Sequence, residues 1–126
     1  MSDTPDNPYL IREARTRNLT KSHRRSRDQE RELAAKLGGR VTPASGAGQV
    51  KGDVRVRGLM RIECKTTCKA SFSVTRDMVR KIEAAALSGS EVPAIVVEFN
   101  DDGRKVMEVA VVPLYVLQGL VDVSKS

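Results

Sequence analysis

The chain has 126 residues, enough for one domain with a true core and too few for a second of any size. Its 40% hydrophobic and 30% charged residues are an ordinary balance for a soluble globular protein. No apolar run approaches the roughly 18 residues that a membrane span requires. The polar, acidic start Met1-Ser2-Asp3-Thr4-Pro5-Asp6 is unlike a secretory signal, so the expected address is the cytoplasm. Cys64 and Cys68 are the only cysteines and His23 the only histidine, which excludes a four-ligand zinc site of Cys and His. A disulfide between the two is not expected in a cytosolic protein.

Formal net charge is +6, and it is polarised along the chain. Residues 1–29 carry seven basic and four acidic side chains, residues 30–81 twelve and five, and residues 82–126 three and seven. Two readings fit the basic part. It is a merely soluble basic surface, or it binds a polyanion, where Lys and Arg gain affinity by displacing counterions from phosphates.

Residues 1–21 lack hydrophobic periodicity and read as a basic N-terminal arm ahead of a single domain over 22–126. From Arg12 to Arg27 the basic residues Arg12, Arg15, Arg17, Lys21, Arg24, Arg25 and Arg27 face Glu13 alone. Such a stretch either lies along a phosphate backbone or is a solvated tail. A helix is expected from about Ser22 or Ser26 to Leu37, closed by Gly38-Gly39. Its apolar positions are Leu33, Ala34 and Leu37, and Glu30 precedes them on the same stripe. A glutamate there pairs with a buried cation, coordinates a metal, or answers the helix macrodipole as an N-terminal charge. Glu32 faces away.

Arg40-Val41-Thr42 reads as a short strand, followed by the small-residue loop Pro43-Ala44-Ser45-Gly46-Ala47-Gly48-Gln49, which admits close approach of another backbone. Val50 to Arg57 and Leu59 to Thr67 form an expected hairpin through Gly58. Phe72 and Val74 lie in a connection. A second helix is expected from Thr75 or Arg76 to Ser88, burying Met78, Val79, Ile82, Ala85, Ala86 and Leu87 and stopped by Gly89. Ala94 to Phe99 is a strand, Asn100-Asp101-Asp102-Gly103 a turn, and Val106 to Val112 the last strand. Pro113 opens a closing helix, Leu114 to Leu120. The order α-β-β-β-α-β-β-α describes an α/β fold, a mixed central sheet flanked by helices.

The residues that carry chemistry lie on the hairpin. Glu63 and Lys65 are two apart in an apolar run, so in a strand both leave one face while Ile62 and Cys64 enter a core. Asp53 lies on the preceding strand. Two carboxylates converging at a strand end can hold a hard divalent cation such as Mg²⁺. A lysine beside them can orient a water or stabilise developing negative charge.

With those residues in place, the chain resembles the PD-(D/E)XK nuclease superfamily, and within it the archaeal-type and phage-borne Holliday-junction resolvases. The resemblance rests on Glu30, the Pro43-Ala44-Ser45-Gly46 loop, Asp53 opening a strand and Glu63-Cys64-Lys65 on the next. It spans residues 26 to about 100. Gly52 stands where the superfamily is named for a proline. The resemblance implies a restriction-endonuclease-like core and a Mg²⁺-dependent endonuclease, with Mn²⁺ able to substitute, that resolves four-way DNA junctions by paired cleavage. It implies that Asp53, Glu63 and the backbone carbonyl of Cys64 coordinate metal, and that Glu30 completes the shell or holds its water. Lys65 would position or help deprotonate the attacking water, and Ser45 would lie near the scissile strand. Arg24, Arg25, Arg27, Ser45, Gln49, Lys51, Lys69 and Lys81 are the candidate nucleic-acid contacts. Branched or duplex DNA is the implied partner, and a homodimer is implied because two opposed strands must be nicked symmetrically.

Two other readings stand beside this one: a different nuclease of the superfamily, restriction- or repair-like, and a non-catalytic basic module that binds nucleic acid. The scarcity of aromatics (Tyr9, Phe72, Phe99, Tyr115, no tryptophan) argues against a stacking platform for single strands.

Overall fold

Apolar residues at alternate positions of β-segments bury only if something covers each face of the sheet, and here a helix covers each. The computed structural model describes residues 25–43 and 53–126. In chain order its elements are α1 (residues 25–37), β1 (Arg40–Val41), β2 (Val54–Val56), β3 (Met60–Thr67), α2 (Arg76–Ser88), β4 (Val92–Asp101), β5 (Arg104–Val111) and α3 (Leu114–Lys125). This is the α-β-β-β-α-β-β-α order read from the sequence. The arm expected over residues 1–21 lies outside the described residues. No helix among the described residues is long and apolar enough to cross a membrane.

The five strands form one mixed sheet in the order β1-β2-β3-β4-β5. All neighbours are antiparallel except β3 and β4, which run parallel and are joined through α2. Parallel neighbours need such a crossover because no short turn can return the chain to the same end. The alternation of side chains then sorts the core into two layers. Leu33 and Ala34 of α1 pack on Val54, Ile62, Ala94 and Val96, with Cys64 and Met60 beside them. Ile82 and Ala85 of α2 pack on Ile95 and Val97 of the opposite face. Ile62 is fully buried, a position where truncation to alanine costs about 2–5 kcal/mol.

Local chemistry sets the ends of these elements. Gly38 sits at φ +71° and the Gly39 N–H donates to the Ala34 carbonyl (2.8 Å), which closes α1 in a Schellman turn. Gly39 also lies against β2, where a Cβ would stand 2.7 Å from the Arg55 carbonyl oxygen. Thr75 caps α2 by accepting from the Met78 N–H (3.2 Å). Asp102 and Gly103 both have positive φ between the paired residues Asp101 and Arg104, the two-residue turn that suits strand twist.

Three sequence expectations need correction. Leu37 and Leu87, expected in the core, are 43% and 78% exposed. Each falls in the last turn of its helix. The closing helix runs to Lys125 rather than Leu120, because Val121-Asp122-Val123 continues it without a breaker.

The sequence also gave no warning of a buried ion cluster at the start of β4. Glu91 follows the turn after α2 and its side chain is fully enclosed. Its Oε2 accepts from Arg55 Nε (2.7 Å) and from the Gly58 N–H (2.8 Å), and its Oε1 accepts from Arg61 Nε (2.9 Å). Burial pushes this carboxyl up, but the hydrogen bonds from Arg55, Gly58 and Arg61 outweigh burial and hold it below the usual glutamate range. The cluster ties the β2–β3 turn to the start of β4. A carboxyl depressed in the fold adds stability above its unfolded value, and that stability is lost as pH falls through the folded value. Glu91→Gln leaves the buried Arg61 without its counter-charge, so it should destabilise by about 3–5 kcal/mol. Denaturant unfolding from pH 7 to pH 3 should show that loss at neutral pH and a flatter acid limb than wild type.

Candidate functional site

The site lies at the start of β2, where Asp53 stands beside β3. Among the described residues the pairing of the two strands runs to Val54 opposite Ile62, with the Asp53 N–H donating to the Ile62 carbonyl (2.7 Å). The next β3 donor on that side is the Cys64 N–H, and it donates to Asp53 Oδ2 at 2.8 Å. A side-chain carboxylate thus accepts from the strand backbone. This fixes Asp53 against β3, beside Glu63.

Glu63 and Lys65 stand in register with Ile95 and Val97 of β4, so they project on the α2 side of the sheet. Ile62 and Cys64 take the α1 side, as the alternation predicts. Glu63 is half-buried, and its carboxyl is pushed up to about 7. Burial is the largest cause, followed by hydrogen bonding to Asp53 and by the Asp53 charge; Lys65 and Lys81 work in the opposite sense. Glu30, on α1, is raised by burial and then by the Asp53 charge. Burial raises the Cys64 thiol as well, with Asp53, Glu30 and Glu63 adding to it.

The structure therefore brings Asp53 and Glu63 into direct contact and sets Glu30, Lys65 and Lys81 within electrostatic reach of the pair. Among the described residues no three His, Cys, Asp or Glu side chains form a ready metal cage. Two carboxylates with a backbone carbonyl suit a cation that keeps several of its waters, as Mg²⁺ does. The donor set fits such an ion on one further ground. A carboxyl pair in which one member holds its proton toward neutral pH is under-neutralised, and a divalent cation supplies the missing charge.

Of the remaining sequence candidates, Arg24, Ser45, Gln49 and Lys51 lie outside the described residues. Arg27, Lys69 and Lys81 are exposed. Arg25 corrects an expectation, because its guanidinium turns inward rather than toward solvent. Its Nε donates to Glu98 Oε2 at 2.7 Å and its Nη2 to Glu32 Oε2 at 2.9 Å. Glu98 is wholly buried on β4, and its hydrogen bonds, helped by that to Glu32, hold the Arg25 guanidinium protonated more firmly than usual against the opposing effect of burial. Glu32, which faces away from the buried stripe and is exposed, is the outer partner of that pair.

Gln29 escaped the sequence reading altogether. It is 1% exposed, and its Nε2 donates to the carbonyls of Lys65 (3.0 Å) and Val96 (3.3 Å). Its Oε1 is buried with no partner among the described residues, an arrangement that costs about 1–3 kcal/mol. The available signal was its spacing of four from Leu33, which places it on the buried stripe of α1.

The chain matches no known family model, and it matches no curated protein.

The carboxyl pair should weigh on stability. Glu63 binds a proton more tightly in the fold than in the unfolded chain, so stability falls as pH rises from the ordinary glutamate value through about 7. Glu63→Gln removes that liability. In a chelating buffer at pH 8 its thermal midpoint should exceed that of wild type, and the difference should shrink toward pH 5. A midpoint below wild type at pH 8 would show that the pair is not strained.

Proposed function

We propose that the chain is a divalent-metal-dependent DNA endonuclease with a restriction-endonuclease-like core. Its proposed substrate is a branched DNA such as the four-way Holliday junction, cut by a homodimer in the cytoplasm of a bacterial, archaeal or phage-infected cell. The observation that carries this reading is the Asp53–Glu63 carboxylate pair, with Asp53 fixed on the Cys64 N–H and Lys65 one step along the same face as Glu63. The element order and the basic surface residues Arg27, Lys69 and Lys81 agree with it.

In this reading Asp53 and Glu63 hold the cation, the Cys64 carbonyl is its backbone ligand, and Glu30 orients a water beside Asp53. Bound Mg²⁺ or Mn²⁺ supplies Lewis acidity toward the scissile phosphate and lowers the pKa of the attacking water. Lys65 positions that water and offsets negative charge as it develops on the phosphoryl oxygens. Lys81, reaching in from α2, adds positive charge on the same side. Arg24, Ser45, Gln49 and Lys51 are proposed contacts along the phosphate backbone, with Ser45 nearest the scissile strand. Arg25 is the weaker candidate for such a contact, because Glu98 and Glu32 engage it.

The test is a labelled four-way junction and a matched linear duplex, each with and without Mg²⁺. Symmetric nicks in the junction, with little cutting of the duplex, support the junction reading. Equal cutting of both favours a restriction- or repair-like nuclease. Binding with no cutting at any metal concentration favours a non-catalytic module. Asp53→Asn and Glu63→Gln should each abolish cleavage while metal-free DNA binding persists, and wild-type rates in both would remove the site. Lys65→Ala should lower kcat by about 100-fold at saturating Mg²⁺ with little change in KM.

Paired cleavage asks for a second copy, and α3 offers the surface that supports one. Only Val116 of this helix is buried, and the Tyr115 hydroxyl donates to Glu83 Oε2 (3.1 Å) to fix its orientation on α2. Leu114, Leu117 and Val121, spaced three and four apart, are left outward with Leu120 beside them. That is the seam by which a helix packs on a symmetry-related copy of itself. Leu117→Glu should shift the chain from dimer to monomer in sedimentation at micromolar concentration, with its thermal midpoint nearly unchanged. A wild-type monomer at that concentration would remove the second copy.

A further inference from the structure

We propose that Gln29 is a positioning residue for Lys65: its amide clamps the Lys65 backbone against β4 and so holds the ammonium of Lys65 at the carboxylate pair. The inference rests on the nuclease reading of that site and adds to it a residue that the motif does not contain.

The amide orientation is fixed by its surroundings. Two carbonyl oxygens, from Lys65 on β3 and Val96 on β4, face one end of the side chain, so that end must be the NH2. The carbonyl end is then left with no hydrogen bond among the described residues. A side chain that merely filled this space between α1 and the sheet would be aliphatic, as Leu33 and Ala34 are one turn further on. Instead the position holds a polar group that loses one hydrogen bond in order to make two others. Native structures rarely leave a buried polar atom unpaired, and the exceptions call for a cause.

The two bonds it makes fall at an informative place. The stretch that carries Glu63, Cys64 and Lys65 is paired with Ile95, Val96 and Val97 of β4. Gln29 adds a second restraint to that stretch, from the face opposite to the one on which Lys65 projects. Glu30, the next residue of α1, lies close enough to Asp53 to feel its charge. One turn of α1 therefore fixes the helix relative to both strands of the site. A general acid–base or electrostatic group displaced by about 1 Å can lose on the order of 100-fold in rate, so a clamp on the backbone of Lys65 has leverage on the chemistry.

The experiment is a double-mutant cycle with Lys65, read on full-length protein with a labelled four-way junction. Gln29→Leu should lower kcat by about 10- to 100-fold, with KM for DNA and the calorimetric affinity for Mg²⁺ within about two-fold of wild type. In a Lys65→Ala background the same substitution should cost less than about two-fold, because the group it positions is gone. Gln29→Met, which matches the length of glutamine and fills the space, serves if the leucine variant does not fold. A full loss that persists in the Lys65→Ala background, or a loss confined to KM or to Mg²⁺ affinity, would reduce Gln29 to a structural strut and overturn the proposal. Wild-type kcat in either variant would overturn it too. Both results leave the nuclease reading intact, since wild type still cuts. A wild-type protein that cuts no DNA with Mg²⁺ or Mn²⁺ overturns the nuclease reading and this role together.

Discussion

The hydrogen bond from the Cys64 N–H to the Asp53 carboxylate is the constraint on which the site depends. It does two jobs with one residue. The backbone N–H of Asp53 donates to the Ile62 carbonyl, while its side chain accepts from the next β3 donor on that side, the Cys64 N–H. The carboxylate is thereby held by strand geometry rather than by a loop, and its separation from Glu63, one residue before that donor, is set by the pleat of β3. Functional groups carried on strands and locked by backbone hydrogen bonds keep their geometry better than groups on loops. Two acids are forced together here as a consequence of that hydrogen bond.

The acids of this protein are neutralised in two different ways, and the difference marks the site. Glu91 and Glu98 are buried and each is gripped by guanidinium groups: Arg55 and Arg61 hold the first, Arg25 the second. Arginine suits that task because its planar fork delivers directed hydrogen bonds and is weakly hydrated. Asp53 and Glu63 are paired with no guanidinium among the described residues. The positive charges that act on Glu63 are those of Lys65 and Lys81, and its proton is held toward neutral pH by burial and by Asp53. An acid pair left short of positive charge is a poor way to stabilise a fold and a good way to receive a cation.

That contrast also explains what the sequence could reveal. The order of elements followed from periodicity and punctuation: Gly38-Gly39, Gly58, Thr75, Gly89 and Asp102-Gly103 all act where the chain turns or caps. Asp53, Glu63 and Lys65 were legible because strand alternation fixes relative side-chain direction without knowledge of the tertiary structure. The partners of buried acids were not legible. Glu98 lies inside the apolar run from Pro93 to Phe99, and a buried glutamate there demands a cation, yet nothing in the sequence selects Arg25, 73 residues away, over its basic neighbours. Charge counting places Arg25, Arg55 and Arg61 in the basic part of the chain, and the fold engages all three in ion pairs with buried glutamates. Gln29 was hidden for a related reason. Helical spacing shows which face it occupies, but its two acceptors are backbone carbonyls, which carry no sequence signature.

These parts meet around Asp53. Glu30 arrives from the helix on one face of the sheet, Lys81 from the helix on the other, and Glu63 with Lys65 from the strand between them. Side chains on opposite faces of a sheet are kept apart by its hydrogen-bonded backbone, because successive residues point to opposite sides. Asp53 is placed to bridge that separation. Its backbone N–H is bound to Ile62 and its carboxylate to the Cys64 N–H, and its charge reaches Glu30 from one face and Glu63 from the other. The hydrogen bond that seats one acid against β3 is therefore also what gives the two faces a shared charged site.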